Sequence, residues 1–159
     1  MAKPNPIPNG AHTVTANMTH ADSARAIDFY RRALGAEELA RFPAPDGKRV
    51  WHAEIRVGDS IAYLADEMPN MPSRAPSADR PSPVSFWVWV ADCDAAHRRA
   101  VDAGARSTMA PADMFWGDRT GSVTDPFGYS WTFATHVKDM TPDEMARAGD
   151  EFARKMGMK

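Results

Sequence analysis

The sequence predicts an α+β fold built from two βαβββ modules forming a cupped mixed sheet, with one further helix at the C-terminus. Three observations carry this expectation. The first is a duplication at an offset of 70 residues: Ala21-Asp22 returns as Ala91-Asp92, Gly47 and Arg49 as Gly117 and Arg119, and Gly58 as Gly128. The second is that these glycines fall where turns belong, since glycine reaches positive φ without steric cost. The third is that one helical stretch in each copy ends in the same pair, Gly35-Ala36 and Gly104-Ala105, one residue out of step with the offset. A chain of two copies of one unit is expected to carry its site where the copies face each other.

Each element has its own signal. Thr13 to Thr19 alternates Val14, Ala16 and Met18 with polar neighbours, the period of a half-buried strand. Asp22 and Ser23 then offer N-caps for a helix with the face Ala26, Ile27, Tyr30 and Leu34, stopped by Gly35. Three strands follow, Glu37 to Phe42, Val50 to Val57 and Ile61 to Ala65, joined by Pro45-Asp46-Gly47 and Gly58-Asp59. The second copy runs through a strand, Val84 to Val90, a helix, Asp94 to Ala103, and three strands, Ala105 to Ala110, Asp118 to Asp125 and Tyr129 to Thr135. After it, Thr141, Pro142 and Glu144 form a helix start signal, and Met145, Ala148, Phe152 and Met156 share one face of the helix that follows.

These readings divide the chain into a first module at 12–66, a proline-rich linker at 67–83, a second module at 84–136 and a helical extension at 137–159, all within one globular domain. The stretch from Asp66 to Pro83 holds five prolines and no aromatic residue, which reads as a linker in preference to a lid.

Composition narrows the function. A formal charge of −2 gives no basic stripe for nucleic acid and no attraction to anionic lipid. No stretch approaches the ~20 apolar residues of a membrane span, and MAKPNPIPNG has no apolar signal core, so a cytoplasmic protein is expected. A single cysteine, Cys93, allows no intrachain disulfide and no cysteine-rich zinc site. It sits at a helix start, where a thiol can become reactive, but an Asp-Cys-Asp cap with a small residue is the preferred reading. The partners expected are a small-molecule ligand and a second copy of the chain.

Ala26-Ile27-Asp28-Phe29-Tyr30 with Leu34-Gly35-Ala36, and Asp125-Pro126-Phe127-Gly128, resemble the first-helix and last-hairpin motifs of the vicinal oxygen chelate superfamily of glyoxalases, bleomycin resistance proteins and extradiol dioxygenases. His52-Ala53-Glu54, Phe115-Trp116-Gly117-Asp118-Arg119 and Thr135-His136-Val137-Lys138-Asp139 resemble its PhnB-like branch. The resemblance spans about Thr13 to Ala153, and it implies paired βαβββ modules. In the metal enzymes of this group four ligands come from the first and last strands of each copy, and the motifs carry those positions onto Thr15, Ala62, Ser85 and Thr132. Since none is His, Glu, Asp or Cys, no metal and no cofactor are expected. Tyr129 stands where PhnB-like chains commonly carry histidine.

Strand alternation assigns the faces. Val14, Ala16, Phe86, Val88, Val90, Trp131 and Phe133 take the parity of a helix-packed core. Thr13, Thr15 and Asn17, then His52, Glu54 and Arg56, take the opposite parity in the first copy. Ser85, Trp87 and Trp89, then Asp118, Thr120, Ser122 and Thr132, do so in the second. The candidate ligand-binding residues are Thr15, Asn17, Ser85, Trp87, Trp89, Thr120 and Thr132, with two indoles suited to a flat or apolar compound. Burial of Trp87 and Trp89 against the last helix or a second subunit is the competing expectation. His52, Glu54 and Asp118 are the candidate catalytic groups, because a histidine with carboxylates beside it can move protons. A solvated polar cluster, and a metal site completed by His12 or His20, are the other readings of those three. Sequestration of an aromatic or apolar compound without a metal is the preferred function. A lyase or isomerase using His52 and Glu54 is the first alternative, and a metal-dependent glyoxalase or dioxygenase with unusual ligands the second.

Overall fold

A computed structural model of the chain describes residues 5–8, 10–77 and 79–157. Among these described residues, eight strands and three helices follow the order β1 (Ala16–His20), α1 (Ser23–Leu34), β2 (Glu37–Pro43), β3 (Val50–Val57), β4 (Ser60–Asp66), β5 (Ser85–Trp89), α2 (Cys93–Asp102), β6 (Arg106–Asp113), β7 (Asp118–Thr124), β8 (Ser130–His136) and α3 (Pro142–Lys155). The strands make two four-stranded sheets of the same topology, β1-β4-β3-β2 and β5-β8-β7-β6. In each sheet the edge strand before the helix pairs parallel with the last strand, and the other pairings are antiparallel. The duplication in the sequence is thus a duplication of βαβββ units.

Residues divide into two compact units, 1–82 with 126–128, and 83–125 with 129–159. In the first, α1 starts at Asp22, whose side chain accepts from the Arg25 N–H, and ends at Gly35 in the left-handed conformation at φ 67°. Its inner face, Ala26, Ile27, Tyr30 and Ala33, is fully buried against Met18, Ala53, Ile55 and Leu64. Burial of side chains such as Ile27 and Leu64 contributes roughly 1.5–3 kcal/mol each. The Pro126–Gly128 turn joins this unit, where the Phe127 ring meets His20, Phe29 and Tyr30 edge-on at 5.5–6.1 Å. The proline-rich residues up to Ser82 also belong to it, and Ala75 among them is buried.

One carboxylate ties the first unit's elements together. Asp66, at the end of β4, accepts the Ser23 N–H at 2.5 Å and the Val50 N–H at 2.8 Å, fixing the starts of α1 and β3. In the second unit Thr135 takes the related place: it accepts the Cys93 N–H and donates to the Val90 carbonyl, both at 2.9 Å. The Cys93 thiol donates to the Phe133 carbonyl at 3.3 Å, and burial pushes its pKa up. It is a core residue and not an activated nucleophile.

The second unit's core stacks Phe86 on Trp131 at 4.5 Å, with Val123 and Phe133 beside them. The Trp131 indole N–H donates to Asp125, and the Tyr129 backbone N–H donates to the same carboxylate. Gly117 ends the β6–β7 turn at φ 96°, where a Cβ would fall on the Lys138 carbonyl oxygen. α3 has the expected capping box between Thr141 and Glu144. It rests on the turn through Phe152, whose ring lies 5.3 Å from that of Phe115.

One expectation needs correction. The first strand begins at Ala16 and not at Thr13, and Val14, expected in the core, lies in a bend before it and is 85% exposed. Only Ala16 to His20 finds a partner strand, in register with Ala62 to Asp66, so the alternation upstream has no sheet to serve. In the stretch after β4, Glu67 accepts the Ala75 N–H and Arg80 donates to the Ala75 carbonyl, folding it back on itself.

Candidate functional site

The first unit's sheet has α1 on one face and leaves the other open. Register puts Asn17 beside Tyr63 and Tyr63 beside Glu54 on that open face, while Ala16, Ala62 and Ile55 form the next row on the helix side. The assignment of Ala62 to a ligand position is therefore corrected: it faces α1, and Tyr63 is the β4 residue on the open face. The cause is register, since β1 and β4 pair with a separation of 46 (Ala16 with Ala62) whereas β5 and β8 pair with one of 45 (Ser85 with Ser130). A fixed offset of 70 cannot hold through both strands of a pair.

A cavity of about 660 Å³ opens in the first unit. Asn17 and Thr19 of β1 form its floor with Ala65, Trp51 and His52 come from β3, and Arg49 and Pro45 come from the β2–β3 turn. The wall is the segment after β4, through Met68, Pro69, Asn70, Met71 and Ser73. The stretch expected as a linker thus encloses a cavity. Its volume falls in the range of small-molecule sites, and thioether, indole and proline surfaces with a few polar groups are the usual lining.

Trp51 was not among the candidate residues, because period two sends it to the helix side with Ala53. The β2–β3 register shows why it is not there: Phe42 pairs with His52 but Pro43 with Val50, so Trp51 is an extra residue at a bulge. Val50 and Ala53 are buried, and Trp51 is 57% exposed in the cavity wall. The turn signal Pro45-Asp46-Gly47 marks the hairpin but carries no hint of the bulge.

His52 lies between rings, with Phe42 stacked at 6.2 Å and Tyr63 edge-on at 5.0 Å. Its Nε2 is 3.2 Å from Glu54 Oε1. The pair is half-exposed, and only His52 of the two lines the cavity. Thr15 precedes β1 and is half-buried. His20, named as a possible ligand, sits in the core under α1, with Nε2 3.0 Å from the Tyr30 hydroxyl. Burial pulls its pKa from 6.5 to about 4, against the opposing pull of Asp66. His12 reaches the Asp59 carbonyl at 3.3 Å instead.

In the second unit, α2 covers the face that holds Gly121 and Val123; Arg119 on this face donates to Asp94 of α2 and to Asp113 of β6. The opposite face carries Asp118, Thr120, Ser122 and Thr132, with Trp87 and Trp89 on the edge strand. The two indoles are 47% and 61% exposed, with ring centres 6.0 Å apart. Ser85 is exposed at the start of β5. Ser122 and Thr132 share a hydrogen bond at 2.8 Å, and the buried Thr120 hydroxyl has no partner among the described residues.

His136 is the second residue the sequence reading left out of the candidate set. Its Nδ1 is 2.7 Å from the buried Asp118 carboxylate and its Nε2 3.0 Å from Asp139. Hydrogen bonds to Asp118, then to Asp139, raise its pKa above the ordinary 6.5. Sequence spacing could have suggested the Asp139 contact, three residues away, but the Asp118 contact depends on β7–β8 register.

The positions that the resemblance assigns to metal do not fit one. Thr15, Ser85 and Thr132 offer neutral hydroxyls, and the fourth offers either a methyl group that faces α1 or a phenol, whereas a divalent catalytic ion takes imidazole, carboxylate or thiolate. Among the described residues no three His, Cys, Asp or Glu side chains gather into a metal-holding group.

Comparison with known proteins follows the fold. Residues 11–133 match the family model described as the Glyoxalase/Bleomycin resistance protein/Dioxygenase superfamily. An uncharacterized protein of Mycobacterium tuberculosis is 42% identical over 130 residues, covering 80% of this chain and 76% of its own. One from Arabidopsis thaliana is 32% identical over 126 residues, covering 75% and 74%. Among solved structures, TioX from Micromonospora sp. ML1 superimposes with a TM-score of 0.64 at 28% identity, covering 80% of this chain and all (100%) of its own. The PhnB protein from Bacillus cereus shares the fold with a TM-score of 0.60 at 15% identity, over 78% of this chain and 99% of its own.

Proposed function

Because the chain belongs to the Glyoxalase/Bleomycin resistance protein/Dioxygenase superfamily, a group whose one fold hosts many chemistries, we propose that it binds an aromatic or apolar small molecule without a metal. The observation that carries the reading is the first unit's cavity of about 660 Å³, with an exposed indole, two thioethers and convergent amide and imidazole groups. An indole that open to solvent costs apolar exposure, and a flat ligand laid on it removes that exposure. Asn17 and His52 supply the polar contacts that would orient the ligand. In the second unit Trp87 and Trp89 offer another indole surface, with Ser85 on the same strand and Thr132 beside Trp87, while the Thr120 hydroxyl expected there is buried. Metal independence is part of the proposal and rests on the hydroxyl character of Thr15, Ser85 and Thr132.

The His52–Glu54 contact favours a second reading. A carboxylate beside an imidazole orients the ring, which suits proton transfer to or from a bound substrate in a lyase or isomerase. Asp118 with His136 is a comparable pair in the second unit. The protein is further proposed to be a cytoplasmic homodimer. In support, no helix of the described residues is long and apolar enough to cross a membrane, and α3 keeps Met145 and Met156 exposed beside Phe152.

Titration of intrinsic tryptophan fluorescence with naphthalene-2-carboxamide, before and after dialysis against a chelator, tests the main reading. Saturable quenching with the same Kd in both samples is expected. Quenching that vanishes with chelation and returns with Zn²⁺, Ni²⁺, Mn²⁺ or Fe²⁺ would favour the metal-dependent alternative.

A further inference from the structure

Two arginines 70 residues apart in the sequence, Arg49 and Arg119, have opposite surroundings. Arg119 donates from Nε and Nη2 to Asp94 and from Nη1 to Asp113, so its guanidinium is locked between two carboxylates. Seventy residues earlier in the sequence stands Arg49, with Ala24 and Pro43 at the same offset from those acids; Arg49 lies in the turn before β3, whereas Arg119 lies within β7. Arg49 lines the first unit's cavity, and among the described residues its side chain keeps loose contacts, Nε to Asp46 at 3.5 Å and Nη1 to the Met68 sulfur at 3.7 Å. Hydrogen bonds of that length are weak.

The cavity's own acids are already occupied. Asp66 uses one carboxylate oxygen on the Ser23 N–H and the other on the Val50 N–H. Asp46 spends Oδ1 on the Lys48 and Arg49 backbone N–H groups at 2.9 and 3.0 Å, as the acceptor of its turn. Backbone donors hold these oxygens in place, and those of Arg49 and Lys48 keep the Asp46 carboxyl below its usual pKa. The planar fork of Arg49 is therefore left with donors to spare beside an open indole, Trp51, which is the geometry that recognises a carboxylate.

We infer that the first unit's cavity selects aromatic carboxylates, with Arg49 as the anchor for the anion and Trp51 as the surface for the ring. The inference rests on the small-molecule reading above and adds the ligand's charge. The ring's apolar face meets Met68 and Met71, which adapt to ligands of different outline.

Three naphthalene probes of one shape test it by fluorescence titration or calorimetry: naphthalene-2-carboxylate, naphthalene-2-carboxamide and 2-naphthylmethylammonium. The carboxylate is expected to bind roughly tenfold or more tightly than the amide, and the ammonium more weakly than either, since a charge-assisted pair outweighs a neutral one. Raising salt should weaken the carboxylate and leave the amide unchanged. Arg49→Gln should bring carboxylate and amide affinities together without changing the amide's own, and Arg49→Lys should keep part of the preference. Equal binding of carboxylate and amide by the unaltered protein, or a preference that survives Arg49→Gln, overturns the anion anchor and leaves the cavity reading standing. Binding of none of the three overturns both. The comparison of probes on the unaltered protein decides the matter even if a variant fails to fold.

Discussion

Trp51 and His52 are consecutive residues of β3, yet both line the same cavity, because the bulge at Trp51 lets two residues of β3 answer one step of β2. An unbroken strand would have turned one of them toward α1. The bulge thus joins a stacking surface to a polar group at one point of the open face.

If that juxtaposition binds the ligand, Trp51→Ala should weaken naphthalene-2-carboxamide by ~1–3 kcal/mol, the loss of one aromatic contact. Its thermal transition should move little, since the indole is 57% exposed. Trp87→Ala serves as the companion variant: a collapsed transition there, with normal binding by the folded fraction, would mark that indole as structural.

His52→Ala distinguishes the two functional readings. Sequestration predicts a modest loss of affinity, within about tenfold, and no turnover by either protein. Acid–base catalysis predicts near-normal affinity and a rate lower by roughly 100-fold or more. Calorimetry and product analysis on the same samples check it.

The buried His20 makes a pH signature. Its pKa is near 4 folded against 6.5 in a free side chain, so between those values the unfolded chain binds a proton that the folded chain refuses. Stability should rise with pH across that window, be fully present above about 6.5, and fall on acidification toward 4. At about 1.4 kcal/mol per unit the total is on the order of 3 kcal/mol. Urea unfolding from pH 4 to 8, compared with His20→Gln, isolates the contribution as a flatter slope in the variant.

The exposed His136 has the opposite sign. Asp118 and Asp139 raise its folded pKa, so its contribution is complete below the ordinary 6.5 and is lost as pH rises through the folded value. A histidine NMR titration should give a midpoint above 6.5 that drops in Asp118→Asn.

Much of this was legible in the sequence because the signals were local. Asp22, Gly35, Thr141 and Glu144 cap their helices through bonds spanning a few residues, and the matched glycines marked equivalent turns. What escaped depended on partners far along the chain. The start of β1 is set by β4, the face of Ala62 by a one-residue difference in register between copies, and the exposure of Trp51 by its pairing with β2. The wall formed by Met68 to Ser73 escaped for another reason: proline-rich composition reads as a spacer, and only the fold reveals what such a segment encloses.

The homodimer proposal turns on α3. Removing the chain after Lys138 should convert the dimer to a monomer by light scattering if Met145, Phe152 and Met156 form its interface. An unchanged dimer would assign α3 to its own subunit, where Phe152 already meets Phe115.

Occupation of the first unit's cavity by a small molecule lying against Trp51 can be read from the indole N–H resonances of the five tryptophans, assigned by single Trp→Phe variants and followed during titration with naphthalene-2-carboxylate. The Trp51 resonance should shift to saturation while that of Trp131, bonded to Asp125 in the core, stays in place. A saturable titration in which Trp51 does not respond would contradict it.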